Sequence, residues 1–589
     1  MTHARRPMPP IRDRRPRGRS LLTRGAAALS LALLLPACGG GSDGFPGGGG
    51  GAIGPSDAVI YYDVTSSNGT RRLRVSRNAA APATYDILPS GTGYELLGTH
   101  MDGTDTVTFY ATLPGNGTRQ ILTSRNGAPG TPLETLIAGV GFQLLATRME
   151  GLDAAIYYAV LPGDGSTEVR LSQNGALAAD AVIIQSDTTF AMRGAHVSAG
   201  DAVLFYVTGA ADGTKRLTYL RDFDLPVVLE VVLPTATLTI LGTHMEAGDA
   251  VVHYAVASAD GSTRVRYARN GGPPVTLHTV PNGATLVPIG SHMDGTDAAL
   301  FFGTSVGGAA TDLYFAKNAG PAALFDAPAA SSIVTPRGSH MSGPDAVLFY
   351  TVRSTSGAVE VAYSRNGAAP LLVDTVTSTA TFSYLGSQME AGDAVLFYGV
   401  TSGSGVLDVD TSRNGGAPVR IATLPASSSF AVLGVLMSGP NAALYAVTTR
   451  SSGAKDIEAS RNGSPFSLIE TLSPGVGFQA LGTHSSGGDD VLFYVSTPSS
   501  GTRTLSYARN GAIQTGIESL SSLEGFEAHG SDMFTPNAAL FYATTTPFGG
   551  PTSLKLSLNG GAPDVIESAG SGSTLVVRTI LMPQEPGEP

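Results

Sequence analysis

The chain has a single cysteine, Cys38, no tryptophan, and only 14% charged residues over 589 positions. One cysteine cannot form an intramolecular disulfide, so core packing must hold the fold whatever the redox compartment. The missing tryptophan removes the aromatic best suited to a cation or sugar face, which counts against a glycan-binding role. Apolar runs are short, and the longest, Ala26 to Leu35, falls well below the length of a lasting membrane-spanning helix. The net charge is −11, and eight of the 36 basic residues lie in the first 37 positions, so the remainder is still more acidic. Such a surface repels nucleic acid and anionic lipid. No Gly-x-Ser-x-Gly nucleophile elbow falls in a strand-to-helix context.

What is present is repetition. Gly98-Thr99-His100-Met101-Asp102-Gly103-Thr104-Asp105 returns as Gly242-Thr243-His244-Met245, as Gly-Ser-His-Met at 290–293 and 338–341, and as Gly482-Thr483-His484. An Asp or Asn recurs every 48 residues: Asp57, Asp105, Asp153, Asp201, Asp249, Asp297, Asp345, Asp393, Asn441, Asp489 and Asn537. Length here therefore means copies of one unit rather than several unrelated domains. The 75 glycines and the short Val/Leu/Phe/Tyr runs between Asn-Gly pairs indicate a turn-rich, all-β chain.

The second unit shows the pattern: strands over 107–112, 119–124, 132–137 and 142–149, with turns at Asn116-Gly117 and Asn126-Gly127. Asn-Gly tolerates positive φ at two central residues and joins antiparallel neighbours. Two tight reversals per unit exclude a parallel β-helix. A repeated four-stranded meander points to a β-propeller. The apolar run Ala202-Val203-Leu204-Phe205-Tyr206 suits a strand buried on both sides. The array opens at Asp57 on a second strand and closes with a first strand over 574–582, so the two ends complete one blade and the count is 11. Propellers commonly have about 4–8 blades, and two smaller rings are the alternative. A single ring is favoured because the spacing is disturbed only by one extra residue near Phe548-Gly549-Gly550.

The run Met-Asp-Gly-Thr-Asp-Ala-Ala-Leu-Phe-Phe over 293–302, followed by a strand ending in Lys317-Asn318, resembles the WD40-like repeat of TolB-type propellers. That resemblance implies a phasing: the Gly-Thr-His-Met strand is innermost, the Leu-Phe-Tyr strand second, the arginine-containing strand third, and the Val/Leu strand with Pro132, Pro274 or Pro370 nearby is the outer edge. An edge strand can spare a donor, and proline there discourages aggregation. Leu35-Pro36-Ala37-Cys38, after a basic segment and a short apolar run, resembles a bacterial lipobox. The resemblance implies a lipidated Cys38 and, with Gly39 following, an outer-membrane destination. The organisation is thus a signal peptide (1–37), a Gly-rich tether (38–55) of roughly 20 Å root-mean-square span, a propeller (56–582) and a short tail (583–589).

Histidine holds one place in six units, as His100, His196, His244, His292, His340 and His484, while Arg148, Gln388, Leu436, Asp532 and Leu581 stand there in the others. Zinc needs three or four converging ligands, and neighbouring units supply one histidine each, so the expectation is hydrogen-bonding histidines with no metal and no cofactor. Calcium wants six to eight oxygens. Only two units carry both aspartates (Asp102/Asp105 and Asp294/Asp297), and Asn441 and Asn537 replace the recurring aspartate, so that position is read as closing an Asx-turn. The arginines before the second turn (Arg77, Arg125, Arg221, Arg269, Arg365, Arg413, Arg461 and Arg509, with Lys317) are expected on the same face as the aspartates. Because Gln173 and Leu558 break that series, strict pairing within each unit is not expected.

The leading expectation is a monomeric, lipid-anchored bacterial cell-envelope propeller, held at the membrane through its N-terminus, that binds or scaffolds an envelope protein or polymer without catalysis. The competing expectations are an enzyme, hydrolase or lyase, with a channel site built from Arg148, Gln388 and Asp532, and a glycan-binding protein. The possible channel or rim residues are those nine: the six histidines with Arg148, Gln388 and Asp532.

Overall fold

The computed structural model describes residues 58–307, 311–513, 515–534 and 536–582. The expected signal peptide, Cys38, the expected tether, Asp57 and the expected tail lie outside the described residues. What is described is all strand apart from one 3-10 turn at Pro547–Gly549.

Eleven four-stranded antiparallel sheets follow one another along the chain. In blade 2 the inner strand is Gly93–Asp102, the second Asp105–Leu113, the third Arg119–Arg125 and the outer Thr131–Leu136. Blade 4 has the corresponding strands Thr189–Ser198, Asp201–Gly209, Lys215–Arg221 and Val227–Val232. Blade 1 is composite: Val59–Thr65, Arg71–Arg77 and Ala83–Leu88 take their inner strand, Thr574–Leu581, from the C-terminal end. The register runs from Val59 opposite Leu581 to Thr65 opposite Thr574.

The second strand is buried nearly throughout, as its uninterrupted apolar sequence requires. Alternate side chains on it face opposite neighbours. Val203 and Phe205 join the core shared with blade 5, whereas Ala202, Leu204 and Tyr206 join the core shared with blade 3. Each apolar cluster therefore lies between two blades. Eleven such clusters occur, including one joining blade 1 to blade 2 through Tyr61 and Tyr110 and one joining blade 11 to blade 1 through Phe541 and Tyr62. An open array of eleven sheets has only ten interfaces. The inner strands also pack in unbroken succession, with Thr574–Leu581 touching those of both blade 11 and blade 2. The fold is one closed ring.

Two local details differ from the sequence expectation. The second turn has positive φ at both central residues in most blades, as at Asn126 (52°) and Gly127 (73°), and at the first alone where Phe223 or Ala319 follows Asp222 or Asn318. The first turn has it only at glycine: Gly117 sits at 83° while Asn116 does not share it. The first loop is one residue longer, so its asparagine stays right-handed and accepts the N–H of Thr118 through Oδ1 at 3.0 Å. In blade 11 the extra residue is taken up in this first loop, where Phe548 has φ of 61° and projects into solvent.

Polar bridges cross the interfaces near the outer edge. Tyr110 donates to Asp86 of the preceding blade at 3.0 Å, Tyr254 to Glu230 at 2.9 Å, Tyr494 to Glu470 at 2.7 Å and Tyr542 to Glu518 at 2.6 Å. In several blades a third-strand cation joins the same carboxylate, as Arg266 does on Glu230 and Lys555 on Glu518. In two of the three junctions that lack the acid the tyrosine changes as well: Ala422 is followed by Ala446, and His278 is followed by Phe302, on which it packs, whereas Val182 is followed by an unchanged Tyr206.

Deleting residues 574–589 is expected to open the ring. It strips the partly buried Leu575, Val577 and Ile580 from the core and unpairs the second strand of blade 1. At the low end of roughly 1.5 kcal/mol for each apolar side chain, several kcal/mol of stability disappear. Chemical denaturation checks this, and small-angle scattering should report a larger radius or a strand-exchanged dimer.

Candidate functional site

All nine candidate channel residues fall on inner strands, at the position paired with the third residue of the second strand; His100 is opposite Val107 and Asp532 opposite Ala539. They do not converge. The unlike residues Arg148, Gln388, Leu436, Asp532 and Leu581 belong to blades 3, 8, 9, 11 and 1, while histidines occupy blades 2, 4, 5, 6, 7 and 10.

Each histidine bridges to the next blade. Nε2 of His100 meets Oγ1 of Thr147 at 2.8 Å, and that of His196 meets Thr243 at 3.1 Å. His244, His292, His340 and His484 reach Ser291, Ser339, Ser387 and Ser531 at 2.8–2.9 Å. Where the next blade offers no hydroxyl, the histidine is gone. Arg148 faces Ala195 and donates to its carbonyl at 3.0 Å, and Gln388 faces Val435 and reaches its carbonyl at 3.5 Å.

The glycine of the motif belongs to the same contact. A Cβ built on Gly98, Gly290 or Gly482 would collide with the hydroxyl of the next blade, and at Gly290 and Gly482 also crowd the blade's own histidine. Glycine is thus needed for a close approach of two strands. The one alanine in the series, Ala146, faces Ala195, where no hydroxyl has to fit. Gly-Thr-His is a clasp: the glycine and histidine of one blade hold the threonine or serine of the next.

Burial lowers four of these histidines, to about 4 for His100, His340 and His484 and to about 3 for His292. They are neutral at pH 7, so one ring nitrogen donates and the other accepts. Asp532 is pushed up to about 6 by burial inside the ring. At this junction Nε2 of His484 lies 2.9 Å from Ser531 Oγ and its Nδ1 lies 3.7 Å from Asp532 Oδ1.

The aspartate series sits on one face with the arginines, and its role differs from the Asx-turn expected. Asp105 Oδ1 accepts the side-chain N–H of Asn126 from the second turn at 2.6 Å, and Asn126 Oδ1 accepts the backbone N–H of Thr106. Asn441 and Asn537 serve equally well because only an acceptor oxygen is needed; Asn462 and Asn559 donate to them at 2.9 and 2.8 Å. Pairing within the unit occurs in some blades and not in all: Arg221–Asp201 and Arg413–Asp393 are at 3.1 Å, Lys317–Asp297 at 2.9 Å and Arg509–Asp489 at 2.6 Å. The same arginines also reach the next blade, as Arg221 does to the Gly248 carbonyl at 2.8 Å. In the units with two aspartates, Asp102 and Asp294 accept the N–H of Gly151 and Gly343 of the following blade at 2.6 Å.

Sequence reasoning missed a second inner-strand series. A β-bulge recurs one residue before the motif glycine, between Leu96 and Gly98 in blade 2. Its extra residue is Leu or Ile in seven blades, but Arg193, Arg337, His529 and Arg578 in the others. Aligning the units at 48-residue spacing would have exposed these cations. Arg337 lies over Phe382 of the next blade at 5.2 Å and donates to Thr351 at 3.1 Å; Arg578 lies over Tyr94 at 5.4 Å and is bonded to Asp63.

No family model matches this chain, and no curated protein matches it. Among solved structures it is similar to a prolyl endopeptidase at 12% identity, over 61% of this chain and 55% of that one, with a TM-score of 0.28. It is similar to the six-bladed β-propeller lectin of Aleuria aurantia, described with a fucose recognition mode, at 10% identity over 49% of this chain and 96% of the lectin, with a TM-score of 0.21. A eukaryotic initiation factor gives 10% identity, 70% and 96% coverage and a TM-score of 0.32. At such scores the likenesses carry no argument, and the propeller assignment stands on the strand pairing and the closed ring of cores.

The clasp predicts a coupling. Gly290→Ala should cost about 1–3 kcal/mol by overpacking, and Ser339→Ala in the same chain should return part of it, reproducing the Ala146–Ala195 pair; urea denaturation of the double-mutant cycle measures the interaction. The histidines predict a pH dependence. Their folded-state values lie below the ordinary 6.5, so the unfolded chain binds more protons between pH 6.5 and about 4, and stability falls as pH drops through that window. Asp532 acts in the opposite sense, its contribution being lost as pH rises through about 6. Melting temperatures between pH 7 and 4 should fall less steeply in a His100→Gln, His340→Gln variant than in the parent.

Proposed function

We propose that this protein is a bacterial lipoprotein, anchored in the cell envelope through Cys38 and facing its partners with a TolB-like propeller that binds or scaffolds an envelope protein or polymer. The observation that carries the reading is the use made of the repeated polar groups. Histidine, hydroxyl, arginine and carboxylate series, the usual material of an active site, are spent in bridges from blade to blade. A ring braced at every junction is a rigid platform, and rigid repeat surfaces suit macromolecular docking. The acidic mature chain favours a neutral or basic partner over nucleic acid. The basic leader followed by Leu35-Pro36-Ala37-Cys38 supports lipidation and an outer-membrane address. A ring that closes within one chain is compatible with a monomer.

A second reading has one observation in its favour. Ser531, His484 and Asp532 stand in the order of a nucleophile, a base and an orienting acid. The Ser–His contact, however, recurs at other junctions without the acid, and 3.7 Å exceeds a hydrogen bond. The clasp explains the pair without catalysis.

Three outcomes are expected. In the native host, Cys38→Ser should move the protein from the membrane fraction to the soluble one, and palmitate labelling should vanish. The mature domain immobilised as bait should retain an envelope component that a blade-disrupted control does not. A fluorophosphonate probe should leave Ser531 unlabelled; labelling lost in Ser531→Ala would instead establish the hydrolase reading.

A further inference from the structure

The repeat provides an internal control for a site near the inner end of blade 4. In blade 1 the carboxylate of Asp63, 1% exposed, lies between two arginines. Arg71 approaches from the third strand at 3.4 Å and Arg578, the bulge residue, from the inner strand. Tyr94 of blade 2 flanks both guanidinium groups, at 6.0 and 5.4 Å. Two cations thus enclose one carboxylate beside an interface with the next blade.

The same four positions in blade 4 read differently. By register, Arg578 corresponds to Arg193, Arg71 to Lys215, Asp63 to Val207 and Tyr94 to Leu238. Both cationic positions persist, while the acid between them has become valine and the ring has become leucine. Arg337, the remaining bulge arginine, keeps an acceptor and a ring, Thr351 and Phe382, at these same two places. Arg193 alone of the three has neither. Among the described residues no carboxylate pairs with Arg193 or Lys215, and both are exposed. With Thr189, Val207 and Leu238 they line a cleft of about 140 Å³. A surface of net negative charge and few cations leaves these two facing a cleft without a counter-charge.

We propose that this cleft between blades 4 and 5 is a binding site for a carboxylate-bearing ligand, whose carboxylate takes the place that Asp63 holds in blade 1. Arg193 supplies the planar fork that matches two carboxylate oxygens, and Lys215 supplies a point charge from the opposite strand. Val207 and Leu238 form an apolar wall that excludes water from one side of the pair. The volume fits a small carboxylate or the carboxylate end of a larger molecule. The site is separate from the histidine clasps and does not rest on the binding role proposed for the ring as a whole.

The test uses radiolabelled succinate in equilibrium dialysis with the mature chain. One saturable site per chain is expected, weakened at least tenfold by Arg193→Leu, which installs the residue that most other blades carry at the bulge, and by Val207→Asp, which supplies the carboxylate from within. Unlabelled succinate should displace the label at concentrations where inorganic phosphate does not. Val207→Asp should hold or raise the melting temperature in the parent and lower it when Arg193→Leu is also present. Absence of saturable uptake, uptake unchanged by Arg193→Leu, or displacement by phosphate as effective as by succinate would overturn the assignment. If Val207→Asp lowers the melting temperature equally with and without Arg193, the guanidinium does not reach the position and the assignment fails on that ground too.

Discussion

A four-stranded sheet whose second strand is apolar on both faces cannot stand alone in water. Val203 and Phe205 on one side and Leu204 and Tyr206 on the other are each buried only when a neighbouring sheet covers them. Every blade is therefore half of two cores, and a linear array would leave one apolar face bare at each end. Closure removes both bare faces. Pairing the C-terminal strand with the first blade ties the ring through backbone hydrogen bonds as well as through Leu575, Val577 and Ile580.

Polar groups then fix how the blades sit. At the inner strand the clasp of glycine and histidine on threonine or serine sets the closest approach. On one face, arginines tie the aspartates of their own blade to carbonyls of the next. Toward the outer edge, tyrosine hydroxyls and third-strand cations share carboxylates of the preceding blade. These three contacts differ in chemistry but repeat with the same 48-residue period, so the ring is held at several radii. Several exceptions are paired: Arg148 with Ala195 and Ala146, Gln388 with Val435, Ala446 with Ala422, while Leu436 opposite Thr483 and Tyr206 opposite Val182 are not. The paired substitutions are answered in the neighbouring blade because the unit of stability is the interface rather than the blade.

So uniform a construction confines functional asymmetry to few places. The junction of blades 10 and 11, with Ser531, His484 and Asp532, is one; the cleft at Arg193 and Lys215 is another. Elsewhere the recurring polar residues already have structural partners, which is why a scaffold or docking platform is the reading they support.

The strands, their order within the blade, the count of eleven and the composite first blade were all legible in the sequence, because hydrophobic period, turn residues and 48-residue spacing are local or strictly repeating signals. The turns were only partly legible: Asn-Gly marked both, but loop length together with the dipeptide decided which carries positive φ at two residues. The purpose of the histidines and of the motif glycine was not legible, since their partners lie some 47 residues away in the next blade, and Arg193 stands out only against its counterparts at the same bulge in other blades. A one-dimensional period says that such residues recur. Only the packing of one sheet on another decides that a hydroxyl fills the space a glycine leaves, and that a valine stands where another blade has the carboxylate between two cations.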